Sequence, residues 1–308
     1  MAKVKKNQPV VYIPDNGRKK SSQKKNKRVA NTIIYIVLCL MTVIWLLPFV
    51  LLVLESLRET PTGQTGNPFF AVGGAPEFTW GFGSYVKLFT ESNFPKWFLN
   101  TFIIAIFTAM LQTIIVLCMS YTLSRSRFKG RKLLMNFMLV IGMFPGFLTL
   151  LVLYTLLKQM NLTEVNAVPG LILVYCASSG MGYHVSKGFF DTVPKALDEA
   201  ARIDGANRAQ VLYKIILPMA KPIVIYTILT AFMGPWADFV LASYIAHSSQ
   251  DGMNVAVGLQ SWLDKTMISD RYTMFCAGGV IVAIPVTILF IFLQKYYVEG
   301  VTGGAVKG

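Results

Sequence analysis

Six stretches of this chain, at residues 32–54, 97–121, 133–157, 167–185, 223–245 and 272–295, are apolar over close to the roughly 20 residues that cross about 30 Å of hydrocarbon. Hydrocarbon offers no water to backbone N–H and C=O groups, so each crossing must satisfy them internally, as a helix does. The expectation is an all-α integral membrane protein with six transmembrane helices. Composition agrees: only 14% of the residues are charged, against about 25% in soluble domains. Pro145, Pro169, Gly170, Gly180 and Gly182 interrupt the third and fourth stretches. Such breaks are tolerated where neighbouring helices satisfy the freed groups, and they also mark pathways or hinges.

The formal net charge is +14, and its distribution sets the topology. Cations crowd residues 1–31, where Asp15 is the one acid. Arg125, Arg127, Lys129, Arg131 and Lys132 follow the second stretch with no acid among them. Lys187, Lys195, Arg202, Arg208, Lys214 and Lys221 follow the fourth. The positive-inside rule then places both termini and both basic segments in the cytoplasm, facing anionic membrane lipid. No fold signature for nucleic acid accompanies the charge. Residues 1–31 are expected to be a disordered basic tail, and residues 32–308 one six-helix domain with a cytoplasmic module at 190–222.

Other site chemistries find little support. Cys39, Cys118, Cys176 and Cys276 each fall inside a stretch and form no CxxC pair, and His184 and His247 are far apart, so no metal site is expected. There is no G-x-x-x-x-G-K-[ST] phosphate loop, no convergent nucleophile and base, and therefore no expected enzyme activity or bound cofactor. Asp238 is the main ionisable residue within the spans; it pairs across the bundle or faces a cavity, or else lies near a broken helix end open to water. Outside, residues 84–90 of the first loop are expected to form an interfacial helix near Trp80, Tyr85 and Trp97. In the last outer loop, 247–270, a turn near residues 250–252 precedes an amphipathic segment through Trp262. That loop either meets an extracytoplasmic partner or merely joins two helices.

The module at 190–222 reads as two short helices. Thr192 and Pro194 mark the start of the first, with Asp198 and Glu199 spaced to pair with Arg202. Ala200 and Ala201 allow another surface to approach closely. Gly205 supplies the left-handed conformation that ends a helix sharply. Asn207 and Gln210 form a capping box for the second helix, which puts Val211, Leu212, Ile215 and Ile216 on an apolar side before Pro218 ends or kinks it.

These residues resemble a known pattern. Permeases of ATP-binding-cassette (ABC) importers carry Glu-Ala-Ala, three residues, Gly, nine residues, Ile, one residue and Leu-Pro in a cytoplasmic loop; here it is Glu199-Ala200-Ala201, Gly205, Ile215 and Leu217-Pro218. From about residue 97 onward, YTLSRSRFKGR (121–131), MFPGFLTLLVLYTL (143–156), VAVGLQSWL (255–263) and VEGVTGGAVKG (298–308) are similar to the smaller permease of maltose and maltodextrin importers.

The resemblance implies the type I importer permease fold, in the plasma membrane of a prokaryote. It implies half of an oligosaccharide pathway, for maltose or maltodextrin first, and for raffinose- or galacto-oligosaccharides as the alternative. The partners implied are a homologous larger permease, two ATPase subunits holding ATP and Mg, and an extracytoplasmic sugar-binding protein. Asp198, Glu199, Ala200, Ala201, Arg202, Asp204, Gly205, Ile215, Leu217 and Pro218 would couple to the ATPase, and Gly303, Gly304 and Lys307 would touch it from the C-terminus. Ser249, Gln250, Asp251, Gly252, Met253 and Asn254 would meet the binding protein. An ATP-independent secondary carrier is the distant rival, and it would need an ion relay that the spans do not display.

Overall fold

A computed structural model of the chain describes residues 17–59, 80–143, 146–178, 180–247, 249–264 and 266–305. The chain divides into two units, Met1–Leu51 and Leu52–Gly308. The described part of the first unit is one helix, α1 (Gly17–Ser56), which runs on into the second unit. Its basic residues 17–31, expected to be disordered, are helical. Lys, Arg and Gln lose little rotamer freedom in a helix, so a helix nucleated by the apolar stretch propagates into them. Residues 1–16 lie outside the described residues.

The second unit continues with α2 (Gly83–Thr90), α3 (Phe94–Arg125), α4 (Arg131–Gly142), α5 (Gly146–Gln159), α6 (Ala167–Ala177) and α7 (Gly180–Thr192). Next come α8 (Lys195–Ile203), α9 (Arg208–Val211), a π-helical turn over Leu212–Ile216, and α10 (Leu217–Met219). The chain ends with α11 (Lys221–Ala237), α12 (Val240–Ala246), α13 (Val255–Ser261) and α14 (Ile268–Ala305). Among the described residues β pairing is limited to an isolated Arg58–Trp80 bridge. The helix expected at 84–90 is present as α2.

Three helical segments, Lys27–Ser56, Phe94–Arg125 and Asp270–Lys295, are long and apolar enough to cross a membrane without interruption. They correspond to the first, second and sixth apolar stretches. The middle three stretches are each divided, between α4 and α5, α6 and α7, and α11 and α12. A bend of 102° separates Thr149–Gln159 from Glu164–Ala177. Pro169 and Gly170, read from sequence as interruptions, lie instead in the first turn of α6. Proline there removes no helical hydrogen bond. Gly170 lets the Leu162 carbonyl come so close that a Cβ would sit 2.2 Å from its oxygen.

Breaks leave backbone groups to be satisfied, and at the α11–α12 break one side chain takes two of the carbonyls. The buried Asn254 amide donates to the Pro235 carbonyl (3.1 Å) and the Asp238 carbonyl (2.8 Å). Its side-chain oxygen accepts from the Val257 N–H (2.9 Å), which caps α13.

The larger of two main cores surrounds α3. Phe94, Trp97, Ile104, Ala105 and Ala109 meet Leu171 and Val174 of α6, Phe232 and Trp236 of α11, Ile245 of α12, Val255 and Leu259 of α13 and Met274 of α14. Between lipid-embedded helices there is little hydrophobic gain, so close packing and small residues carry association. Gly258 illustrates it: a Cβ there would lie 2.1 Å from Cε3 of Trp97. The second core, Leu117, Tyr121, Phe190, Val193, Ala201, Val211, Ile216, Ala220 and Ile223, gathers the module at 190–222 under the far end of α3.

Gly258→Val is expected to force Trp97 out of its seat at a cost of about 1–3 kcal/mol. It should lower the thermal midpoint of the detergent-purified protein, whereas Gly142→Ala, with nothing within 4 Å of the added methyl, should not.

Candidate functional site

The module is built by local backbone chemistry. α8 begins at Lys195 with Pro194 as its N-cap residue, not Thr192, whose hydroxyl donates to the Phe189 carbonyl (2.7 Å) at the end of α7. Proline needs no N–H partner where a helix starts, so Pro194 sets the entry. α8 ends in a Schellman motif: the Gly205 N–H donates to Arg202 (3.1 Å), and the Ala206 N–H to Ala201 (2.9 Å). Gly205 has φ +82°, the left-handed region that glycine adopts without strain. The capping box is present, with Gln210 N–H donating to Asn207 (2.9 Å) and Asn207 N–H to Gln210 (2.8 Å).

Pro218 sets the exit. It cannot donate to the Lys214 carbonyl, and its ring would crowd that oxygen in a regular α-helix. The backbone widens into the π turn just before it. A bend of 89° then separates Arg208–Met219 from Lys221–Ala237. Val211 and Ile216 are fully buried and Ile215 and Leu217 half-buried, while Pro218 is exposed.

The residue that holds α8 lies outside the module. The Arg125 guanidinium at the end of α3 meets the Asp198 carboxylate at 2.8 Å, with side chains only 3% and 7% exposed. Asp198, expected to pair with Arg202 one turn along, therefore turns inward to α3. Arg125 also donates to the Val193 carbonyl (2.8 Å) in the α7–α8 connection. Next to it Ser124 donates to Asp191 (2.6 Å), whose other oxygen takes Lys187 (2.5 Å). Burial alone would raise the Asp191 pKa, but the hydrogen bonds from Lys187 and Ser124 and the Lys187 and Arg131 charges hold it below the ordinary carboxylate range. A depressed carboxyl stabilises the fold above its unfolded pKa and loses that contribution as pH falls through its folded value. The link therefore stands intact at neutral pH. Arg125 Nη1, Asp198 Oδ1 and the Tyr121 hydroxyl are buried there without a hydrogen-bond partner.

With Asp198 and Ala201 facing inward, the other side of α8 is bare. Glu199, Ala200, Arg202, Asp204 and Gly205 are exposed. Ile203, which the sequence reading passed over, is 86% exposed. An apolar side chain projecting from a charged rim is the makeup of a protein contact. Its signal in the sequence was faint: one isoleucine between Arg202 and Asp204.

The other predicted loop lies at the opposite end of α3. The Trp97 indole donates to the Gln250 carbonyl (3.1 Å), and the Asn100 amide to the carbonyls of Asp251 (2.8 Å) and Met253 (2.9 Å). Lys96 pairs with Asp251, and the Val255 N–H donates to the Thr101 hydroxyl (2.7 Å). Of the six residues read as a contact loop, Gln250 and Asp251 are exposed and Ser249 half-buried, whereas Gly252, Met253 and Asn254 are buried. A polar cleft of 660 Å³ beside them takes in Glu91, Asn93, Asp264 and Arg271. Gly303 and Gly304 fall in the last turns of α14, and Lys307 lies outside the described residues.

Asp238 combines two of its readings. It sits at the α11–α12 break, where Oδ1 accepts the Leu241 N–H (3.1 Å), and it reaches across to α6, where Oδ2 accepts the Tyr175 hydroxyl (2.7 Å).

Residues 117–303 match the family described as binding-protein-dependent transport system inner membrane component. The chain is similar to the maltodextrin transport system permease protein MdxG of Bacillus subtilis, at 36% identity over 251 residues, 79% of this chain and 89% of that protein. It is also similar to the galactooligosaccharides transport system permease protein GanQ of Bacillus subtilis, at 36% identity over 231 residues, 74% of this chain and 80% of that one. In fold it is similar to a bacterial ABC transporter involved in the import of the acidic polysaccharide alginate, with TM-score 0.71 and 21% identity, covering 88% of this chain and 98% of that one.

Removing Arg125 alone strands the Asp198 charge. Arg125→Met is expected to cost about 3–5 kcal/mol and to lower the thermal midpoint of the purified protein sharply, and the double variant Arg125→Met/Asp198→Leu should recover most of the loss. Equal midpoints for wild type and Arg125→Met would remove the pair from any structural role.

Proposed function

The chain belongs to the binding-protein-dependent transport system inner membrane component family, and from that premise we propose that it forms half of the pathway of an ABC importer for oligosaccharides. The family is the membrane component of such systems, not its ATPase. Maltodextrins are the first substrate class, supported by the MdxG likeness, and galacto-oligosaccharides the second, supported by the GanQ likeness. The chain crosses the plasma membrane six times with both termini in the cytoplasm. A homologous larger permease forms the other half, two ATPase subunits bind ATP and Mg, and a sugar-binding protein delivers cargo from outside.

The observation that carries this reading is the placing of α8. It is stopped by Gly205 and clamped by Asp198 to the end of α3, yet it presents Ile203 and Glu199 outward. A short helix fixed to a span and bare on its far side is what transmits motion from a docked subunit. The ATPase pair closes on ATP, α8 follows its socket, and α3 and α11 rock with it through their shared core. Glu199, Ala200, Arg202, Asp204 and Gly205 form the contact with Ile203; Ala201, Ile215, Leu217 and Pro218 hold its backing. Gly303, Gly304 and Lys307 add a C-terminal contact. At the other end of α3, Gln250 and Asp251 are the exposed residues of their loop that would meet the binding protein.

Co-expressing the chain with its ATPase, sister permease and binding protein, and assaying ATP hydrolysis against a sugar panel, tests the substrate. Maltodextrins are expected to stimulate it, and an intact complex indifferent to every oligosaccharide would overturn the reading. Coupling is tested separately. Gly205→Val adds no clash but strains the left-handed turn by about 1–2 kcal/mol, and Glu199→Lys reverses a contact charge. Both are expected to cut sugar uptake at least about tenfold while the chain still reaches the membrane, the price of a misdirected or repelled α8. Wild-type uptake by both variants would refute the lever.

A further inference from the structure

We propose that the turn between α3 and α4 holds an anionic phospholipid, its phosphate against the cations of the turn and an acyl chain along α4. Residues 124–132 carry five cations and no acid. Arg125 is engaged by Asp198, and Arg131 folds back to donate to the Ser126 carbonyl (3.4 Å). Arg127, Lys129 and Lys132 are exposed, and none of them makes an ion pair with a carboxylate among the described residues. Three exposed cations without a carboxylate partner in so short a turn create a positive potential that favours an anion.

The surroundings narrow which anion. A cleft of 610 Å³ opens at this turn, lined by Arg127, Arg131 and Lys132 together with Phe128, Leu133 and Met135. Beyond it α4 has two apolar sides. Leu134, Met135 and Met138 pack inward on Val116, Leu123 and Tyr183. Leu133, Phe137, Val140 and Ile141 are exposed in the i, i+4, i+7, i+8 spacing of one helix face. That stripe runs about 12 Å away from the cations. Free phosphate would satisfy the charges and leave the stripe bare. A protein would have to bring both a carboxylate and an apolar ridge. A phospholipid carries both parts in one molecule, and it is the solvent at this depth, because the turn follows directly on a membrane-crossing helix.

The test uses the protein extracted from membranes with its partners and titrated with phosphatidylglycerol, phosphatidylcholine or inorganic phosphate, with adducts counted by native mass spectrometry. Each surface cation contributes about fivefold to association with an anionic bilayer. Arg127→Gln/Lys132→Gln is therefore expected to weaken phosphatidylglycerol retention about 25-fold and to leave phosphatidylcholine unchanged. Leu133→Ser should weaken phosphatidylglycerol retention as well. A photo-crosslinker at position 133 should capture lipid. Undiminished phosphatidylglycerol retention by the double variant, equal retention of phosphatidylcholine by the wild type, displacement by inorganic phosphate with no effect of Leu133→Ser, or crosslinking to another subunit would each overturn the proposal. Because both substituted cations are exposed, an unchanged thermal midpoint of the double variant separates lost binding from lost folding.

Discussion

Two opposite charges, Arg125 and Asp198, are withdrawn from water at the point where α3, the α7–α8 connection and α8 converge. Desolvating such a pair offsets most of what its attraction returns, so an apolar pair of the same volume would hold the helices about as tightly. What the ion pair adds is direction. The close contact of the Arg125 guanidinium with the Asp198 carboxylate keeps that side of α8 against α3, with Asp198 in and Ile203 out. The exposed face of the module follows from that contact. The Ser124, Asp191 and Lys187 bridge beside it ties α7 to the same end of α3.

The same helix carries the opposite end of the molecule. Trp97, Asn100 and Thr101 take the carbonyls and the N–H of residues 250–255. Asn254 passes the connection on to the carbonyls freed where α11 gives way to α12. Broken helices at membrane depth survive only when such groups are satisfied inside the protein. Here the supplier is a residue of the α12–α13 connection, which explains why a segment that looks like a surface connection is half core.

What was legible in the sequence was what is local. The Gly205 stop, the Asn207–Gln210 box and the kink at Pro218 are set by residues within a few positions of one another, and each is in place. The three uninterrupted spans and α2 were legible for the same reason. The partner of Asp198 was not, because Arg125 lies 73 positions away and reads as one more positive charge in a cytoplasmic turn. Helical spacing offered Arg202 as the nearer choice, and burial decided against it. Asn254 was hidden likewise, as one polar residue in a polar loop. Residues 17–31 show the converse case: their charge density suggests disorder, yet Lys, Arg and Gln extend a helix already begun. What would cover the exposed Ile203 is encoded by no pattern within this chain.

Between Trp97 and Arg125 lies a straight-through helix of about 40 Å, gripped at both tips. A rod held in this way transmits tilt better than bend. If it pivots near its middle, a sideways step at the Arg125 end reappears at the Trp97 end with similar size and opposite sense, as on a seesaw. The two ends of the helix would then move in antiphase without any signal having to pass through loops or side-chain relays.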